Sequence, residues 1–111
     1  MIDFDKFIVD EMDATKEEIE PLYKIYIGEM EDMIMQLSEA SQTEDQDKFK
    51  RIIHNVKGIN ANMRIDDLTN PVTKMYKVLL EGQSLDLSLS LQTLQTEFSK
   101  VKTEIHDYFA S

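Results

Sequence analysis

Apolar residues recur at spacings of three and four along most of this chain, the period of helices that bury one face. A short helix is predicted from about Asp3 to Glu11, with Phe4, Phe7 and Ile8 on one side. Thr15 followed by Glu18 is a capping-box pattern that opens a long helix to about Ala40. Its stripe is Ile19, Leu22, Tyr23, Tyr26, Met30, Met33, Ile34 and Leu37. Pro21 lies awkwardly in that helix and implies either a kinked first turn or a later start. After a polar connector over residues 41–45, a second long helix is predicted from about Glu44 to Arg64. Its core stripe is Phe49, Ile52, Ile53, Val56, Ile59 and Met63.

Asp66 and Asp67 interrupt the pattern. A third helix runs to about Glu81 with Leu68, Val72, Met75 and Leu79 inward, Asn70–Pro71 as its cap and first residue, and Gly82 as its C-terminal cap. Leu85, Leu87, Leu89 and Leu91 alternate like a strand, but leucine favours helix and no second strand is visible to pair. From Leu87 the seam continues through Leu91, Leu94, Phe98, Val101, Ile105 and Tyr108 in alternating steps of four and three. Amphipathic helices with short connections imply an all-α fold: an antiparallel up-down four-helix bundle with a short N-terminal helix, one domain over residues 1–111.

Composition narrows the function classes. No cysteine occurs, so there is neither a disulfide framework nor a thiolate metal site. No apolar run approaches membrane-spanning length, and the acidic N-terminus lacks the layout of a signal peptide, so a cytoplasmic protein is expected, with no membrane partner. A net charge of −10 argues against nucleic acid. Yet from Lys48 to Ile65 there is no Asp or Glu. That window holds Lys48, Lys50, Arg51, Lys57 and Arg64, five of the chain's 12 cations, which suits a site handling an anion.

His54 lies inside that window. A helix advances about 100° per residue, which puts His54 roughly 160° from the stripe of its own helix and therefore in solvent. Its helical neighbours are Lys50 at i−4, Lys57 at i+3, Gly58 at i+4 and Ala61 at i+7. Glycine inside a helix costs about 1 kcal/mol relative to alanine. At i+4 from an exposed imidazole it leaves a lane open to a partner's backbone. Imidazole is a nucleophile, and a neighbouring lysine would stabilise an anion held on the ring. Metal binding is poorly supported, because no His, Cys or carboxylate stands at i±3 or i±4 of His54. His106, with Glu104 and Asp107 around it, reads as structural or solvated. Ile25, Gly28 and Met35 fall off the stripe of the first long helix and suggest a docking patch beside His54.

At His54, Val56, Lys57 and Gly58 the chain resembles the histidine-containing phosphotransfer (HPt) domain family of two-component phosphorelays, whose motif is His, any residue, an apolar residue, Lys and Gly, followed by small residues. Ile59 and Asn60 depart from it, standing where Ser or Ala is usual, and Arg64 stands where a later Gly is common. Ile59 is expected to point inward and Arg64 to affect the helix junction. The resemblance implies a phosphocarrier, without independent catalysis, that shuttles a phosphoryl group between receiver-domain aspartates through His54. Lys57 would steady the phosphoryl group, Gly58 and Ala61 would keep the approach clear, and Lys50 would flank it. Implied partners are a response-regulator receiver domain and a hybrid histidine kinase. The chain would act as a monomer with no cofactor of its own, and Mg²⁺ would sit on the receiver. The alternatives are a helical adaptor that binds a receiver or kinase without being phosphorylated, and a dimeric kinase core, which would need an ATP-binding domain this chain lacks.

Overall fold

A computed structural model describes residues 2–111 and shows four long helices: α1 (Lys16–Gln42), α2 (Gln46–Asn62), α3 (Asp66–Leu80) and α4 (Leu87–Ala110). Among the described residues no strand forms, so the leucine alternation before α4 resolves as helix. Short connections make successive helices antiparallel. α1 packs on α2 and α4, and α3 packs on the same two, closing an up-down bundle of 42 × 22 × 18 Å.

The helix starts do not follow the prolines: α1, α2 and α4 begin at side-chain caps, and α3 begins without one. Thr15 and Glu18 form the reciprocal capping box: Glu18 N–H donates to Thr15 Oγ1 at 3.2 Å, and Thr15 N–H donates to Glu18 Oε1 at 3.1 Å. α1 therefore begins at Lys16, and Pro21 lies inside the helix rather than at a later start. Pro71 likewise lies inside α3, which starts at Asp66 and not at Asn70–Pro71. Each proline is only six positions in. The carbonyl it fails to satisfy belongs to the first turn, where water reaches it. Asp66 and Asp67 do not break the pattern; they open α3, where carboxylates complement the helix dipole. The break lies two residues earlier, at the left-handed Arg64.

Three helices end in the same way. The residue beyond the cap turns left-handed and the next N–H reaches back five residues: Asp45 to Ala40 O at 2.9 Å, Ile65 to Asn60 O at 2.9 Å, and Gln83 to Val78 O at 3.1 Å. Gly82 (φ 73°) supplies this conformation freely, as expected from the sequence. Glu44 (φ 54°) and Arg64 (φ 58°) adopt it with a side chain. Arg64 thus stands in the backbone geometry for which glycine is suited. Its guanidinium is held by Glu11 at 3.0 Å and by Ala61 O at 2.8 Å.

The expected N-terminal helix forms as a π-helix (Lys6–Glu11) closed by Met12 N–H to Phe7 O at 2.9 Å. It seals the end of the bundle where α1 begins and α4 finishes. Phe4 stacks on Tyr108 at 4.4 Å and meets Tyr23 edge-on at 5.7 Å, and Phe109 lies 5.3 Å from Tyr23. The stripes seen in sequence form one core, with three corrections. Leu22 is exposed at 37%, Ile34, Leu91 and Tyr108 are only half-buried, and the α2 position facing the core is Asn60 rather than Ile59.

Within this end cluster the buried Tyr23 hydroxyl has no hydrogen-bond partner among the described residues. Burial pushes its pKa up, and nearby Tyr108 adds to the rise; Tyr26 is raised chiefly by burial and then by Tyr23. A phenol raised in the folded state favours folding below its unfolded pKa of about 10. That contribution is lost as pH climbs through the raised folded value. Urea melts should therefore show stability falling above about pH 10. Tyr23→Phe removes one unpartnered hydroxyl. It should add about 1 kcal/mol near neutral pH and lessen the alkaline loss. A loss of stability in the Phe variant at neutral pH would mean that the hydroxyl is satisfied.

Candidate functional site

The site is built on α2. Asp45 caps it, accepting from Lys48 N–H at 3.0 Å, and the left-handed Arg64 ends it. Phe49, Ile53 and Val56 are fully buried, which fixes the rotation of the helix. His54 follows Ile53 by one position and is exposed in the middle of α2. The outward orientation expected from helical periodicity is the one observed.

Two different walls flank the imidazole. On the α3 side, the Tyr76 ring lies 5.2 Å from the His54 ring, centroid to centroid, tilted by 40°. The Lys57 ammonium sits 5.3 Å from the centre of the same tyrosine ring, within cation–π range. On the α1 side, an open groove of about 510 Å³ runs beside His54, lined in part by Asn55, Gly58, Asn62, Glu29 and Asp32. A Cβ built on Gly58 would meet nothing within 4 Å, so no packing constraint requires glycine there.

The expected site residues separate in space. His54 and Gly58 share the groove wall. Lys57 is half-buried and turned to Tyr76. Ala61 is exposed and Lys50 half-buried, and neither lines the groove. The acid-free window does not produce an acid-free surface, because the fold brings in carboxylates from other elements. Lys48 pairs with Glu39 at 3.3 Å and Arg64 with Glu11 at 3.0 Å. Glu29 and Asp32 face the groove from α1. Among the described residues Lys50, Arg51 and Lys57 form no ion pair. Nor are three His, Cys, Asp or Glu side chains placed among them to hold a metal ion.

On the buried side of α2, Asn60 is fully buried. The Tyr26 hydroxyl donates to its Oδ1, and its Nδ2 donates to Val56 O at 2.8 Å and approaches Met30 Sδ at 3.4 Å. This polar contact joins α1 to α2. A neighbouring apolar hollow of about 290 Å³ continues from Glu29, Ile59 and Asn62 to Met12, Leu22 and Ile25. Ile25 is 58% exposed, Met12 47% and Leu22 37%, so the patch beside His54 includes Ile25. Met35 does not belong to it; it lies between α1 and α4 with Phe98 and Lys102.

No protein family, curated protein or solved structure matches this chain.

Sequence reasoning missed Tyr76, Asn60 and the groove carboxylates. Tyr76 lies one residue beyond Met75 of the α3 stripe, and only the packing of α3 on α2 brings it to His54. Asn60 carried a usable signal. It stands four residues after Val56 and seven after Ile53, squarely on the buried stripe, and its polarity masked that. His106 is exposed, at the rim of a separate apolar pocket with Tyr23 and Phe109.

Proposed function

We propose that this protein is a histidine phosphocarrier of the kind its motif resembles, taking a phosphoryl group from a receiver aspartate onto His54 and passing it to another. The observation that carries the reading is the exposed His54 imidazole with Gly58 open beside it on a helix whose opposite face is buried. The imidazole is flanked by Tyr76 on one side and open to the groove on the other. This arrangement suits a nucleophile that enters a partner's active site rather than one that encloses a substrate.

In the transfer, a lone pair on a ring nitrogen of neutral His54 attacks phosphorus. The N–P bond forms as the aspartyl P–O bond breaks, and the carboxylate leaves with the electron pair of that bond. The ring keeps the proton on its other nitrogen until water removes it. Phosphoryl transfer is dominated by positioning and charge, which the receiver and its Mg²⁺ would supply. Lys57, which forms no ion pair among the described residues and rests on the Tyr76 ring, would add one positive charge near a group carrying about two negative charges. The apolar patch at Ile25, Leu22 and Met12 would seat the receiver against α1 and α2. The setting would be cytoplasmic, with a hybrid kinase upstream and a response regulator downstream.

Glu29 and Asp32 oppose an anion in the groove and favour the second reading, an adaptor that binds a receiver without accepting phosphate. Mixing the protein with acyl-phosphate-loaded receiver domains and counting acid-labile, base-stable label separates the two. Transfer of label supports the carrier; a stable complex without transfer supports the adaptor.

Gly58→Ala gives a sharper test of the open lane. The added methyl meets no atom, so the variant should gain about 1 kcal/mol of helix stability. It should accept phosphate from phosphoramidate as the wild type does, yet accept it more slowly from a receiver. Equal receiver rates would show that no partner backbone passes over Gly58.

A further inference from the structure

Tyr76 is half-buried on α3 and packed against the core, so its ring is held from below. Above the core it makes two contacts at once, one with the His54 ring and one with the Lys57 ammonium. Both fall within the separations at which aromatic pairs and cation–π pairs attract. Among the described residues nothing comparable stands on the other side of the imidazole, where the groove between α1 and α2 is open. An exposed histidine on a helix otherwise exchanges between rotamers, so a ring braced on one side spends more of its time in one orientation.

We propose that Tyr76 is a positioning residue for the phosphoryl-accepting imidazole: it covers the α3 side of the His54 ring, keeps Lys57 beside that ring, and directs the phosphoryl donor to the groove side over Gly58. The proposal rests on the carrier reading and adds the direction of approach and the residue that sets it. Tyr76 does not touch the reacting atoms. It acts through the ring it braces and the ammonium it holds. The role belongs to the aromatic face rather than the hydroxyl, so phenylalanine should replace tyrosine and an aliphatic residue should not.

The test compares wild type, Tyr76→Phe and Tyr76→Leu, with rates read from an acyl-phosphate-loaded receiver, whose fixed approach senses the orientation of the ring, and with phosphoramidate as the control that reaches the ring in any orientation. Three-bond couplings at the His54 β-protons report its χ1 populations. The wild type and Tyr76→Phe should each show one dominant rotamer and the same rate of label uptake from the receiver. Tyr76→Leu should show averaged couplings, an unchanged phosphoramidate rate and a receiver rate lower by about fivefold, the scale expected when one orientation among a few is no longer enforced. A purely structural role would lower the melting temperature and leave the His54 couplings unmoved. An unchanged receiver rate in Tyr76→Leu would overturn the proposal. So would averaged couplings in a wild-type protein that takes label, a measurement that needs no variant to fold. A wild-type protein with one rotamer that takes no label from any donor would overturn the carrier reading, and this role with it.

Discussion

The His54→Gln variant is expected to take up no acid-labile phosphate from any receiver while melting as the wild type does. Glutamine is similar in reach and polarity but has no nucleophilic ring nitrogen, so the covalent step has no acceptor. The side chain is exposed and no hydrogen bond holds it among the described residues, so its loss should change stability by no more than about 0.5 kcal/mol. His106 serves as an internal control. It is also exposed and has Lys102 at i−4, but Glu104 and Asp107 lie near it in sequence, and Phe109 and Ala110 stand where His54 has Lys57 and Gly58. Residual base-stable label in His54→Gln would place the acceptor elsewhere. Full loss of label with an unchanged melt separates chemistry from fold.

The second large effect is on stability. Asn60→Leu should destabilise the bundle by about 2 kcal/mol, because the Tyr26 hydroxyl is left buried without its acceptor while leucine adds apolar burial only in part compensation. For a chain of this size that corresponds to a fall in melting temperature of about 10 °C. The companion variant Tyr26→Phe removes the other partner. The double variant should be more stable than Asn60→Leu alone, since replacing both ends of a buried hydrogen bond by apolar groups is close to neutral. Additive losses in the two single variants would show that Asn60 and Tyr26 act independently. The contact also ties together α1 and α2, the two helices whose residues line the groove beside His54.

What could be read from the sequence divides by the range of the interaction. The helices, the Thr15–Glu18 box, the Gly82 cap and the outward face of His54 depend on residues within one or two turns, and periodicity and capping specify them. The helix starts at Lys16 and Asp66 run against the proline signals, since a proline six residues in still leaves its unmet carbonyl in the first turn. The arrangement around His54 depends on how helices are rotated against each other. Tyr76 arrives from α3, and Glu29 and Asp32 arrive from α1, so an acid-free stretch of sequence faces an acidic wall in space. Asn60 shows the same limit inside the core. Its position on the stripe was legible, and the Tyr26 hydroxyl that makes its burial tolerable was not.

The departures from the phosphotransfer motif acquire physical meaning in the fold. Arg64 adopts the left-handed backbone that a glycine would take without strain, and its side chain is tied to Glu11 of the N-terminal helix. Asn60 occupies a buried place as part of a polar contact, and Ile59 is half-buried at the edge of the groove floor. None of the three lies on the exposed face of His54. They bear on how α2 is anchored and leave the imidazole, Gly58 and Lys57 as they are.

The central claim is that His54, and no other residue, is the phosphoryl acceptor. It is tested most directly by treating the protein with phosphoramidate and mapping the product by phosphorus–proton correlation NMR. One phosphohistidine resonance, coupled to the ring protons of His54 and lost in His54→Gln, is the expected result. A phosphohistidine signal coupled to His106, or a protein that stays unmodified under conditions that phosphorylate free imidazole, would contradict it.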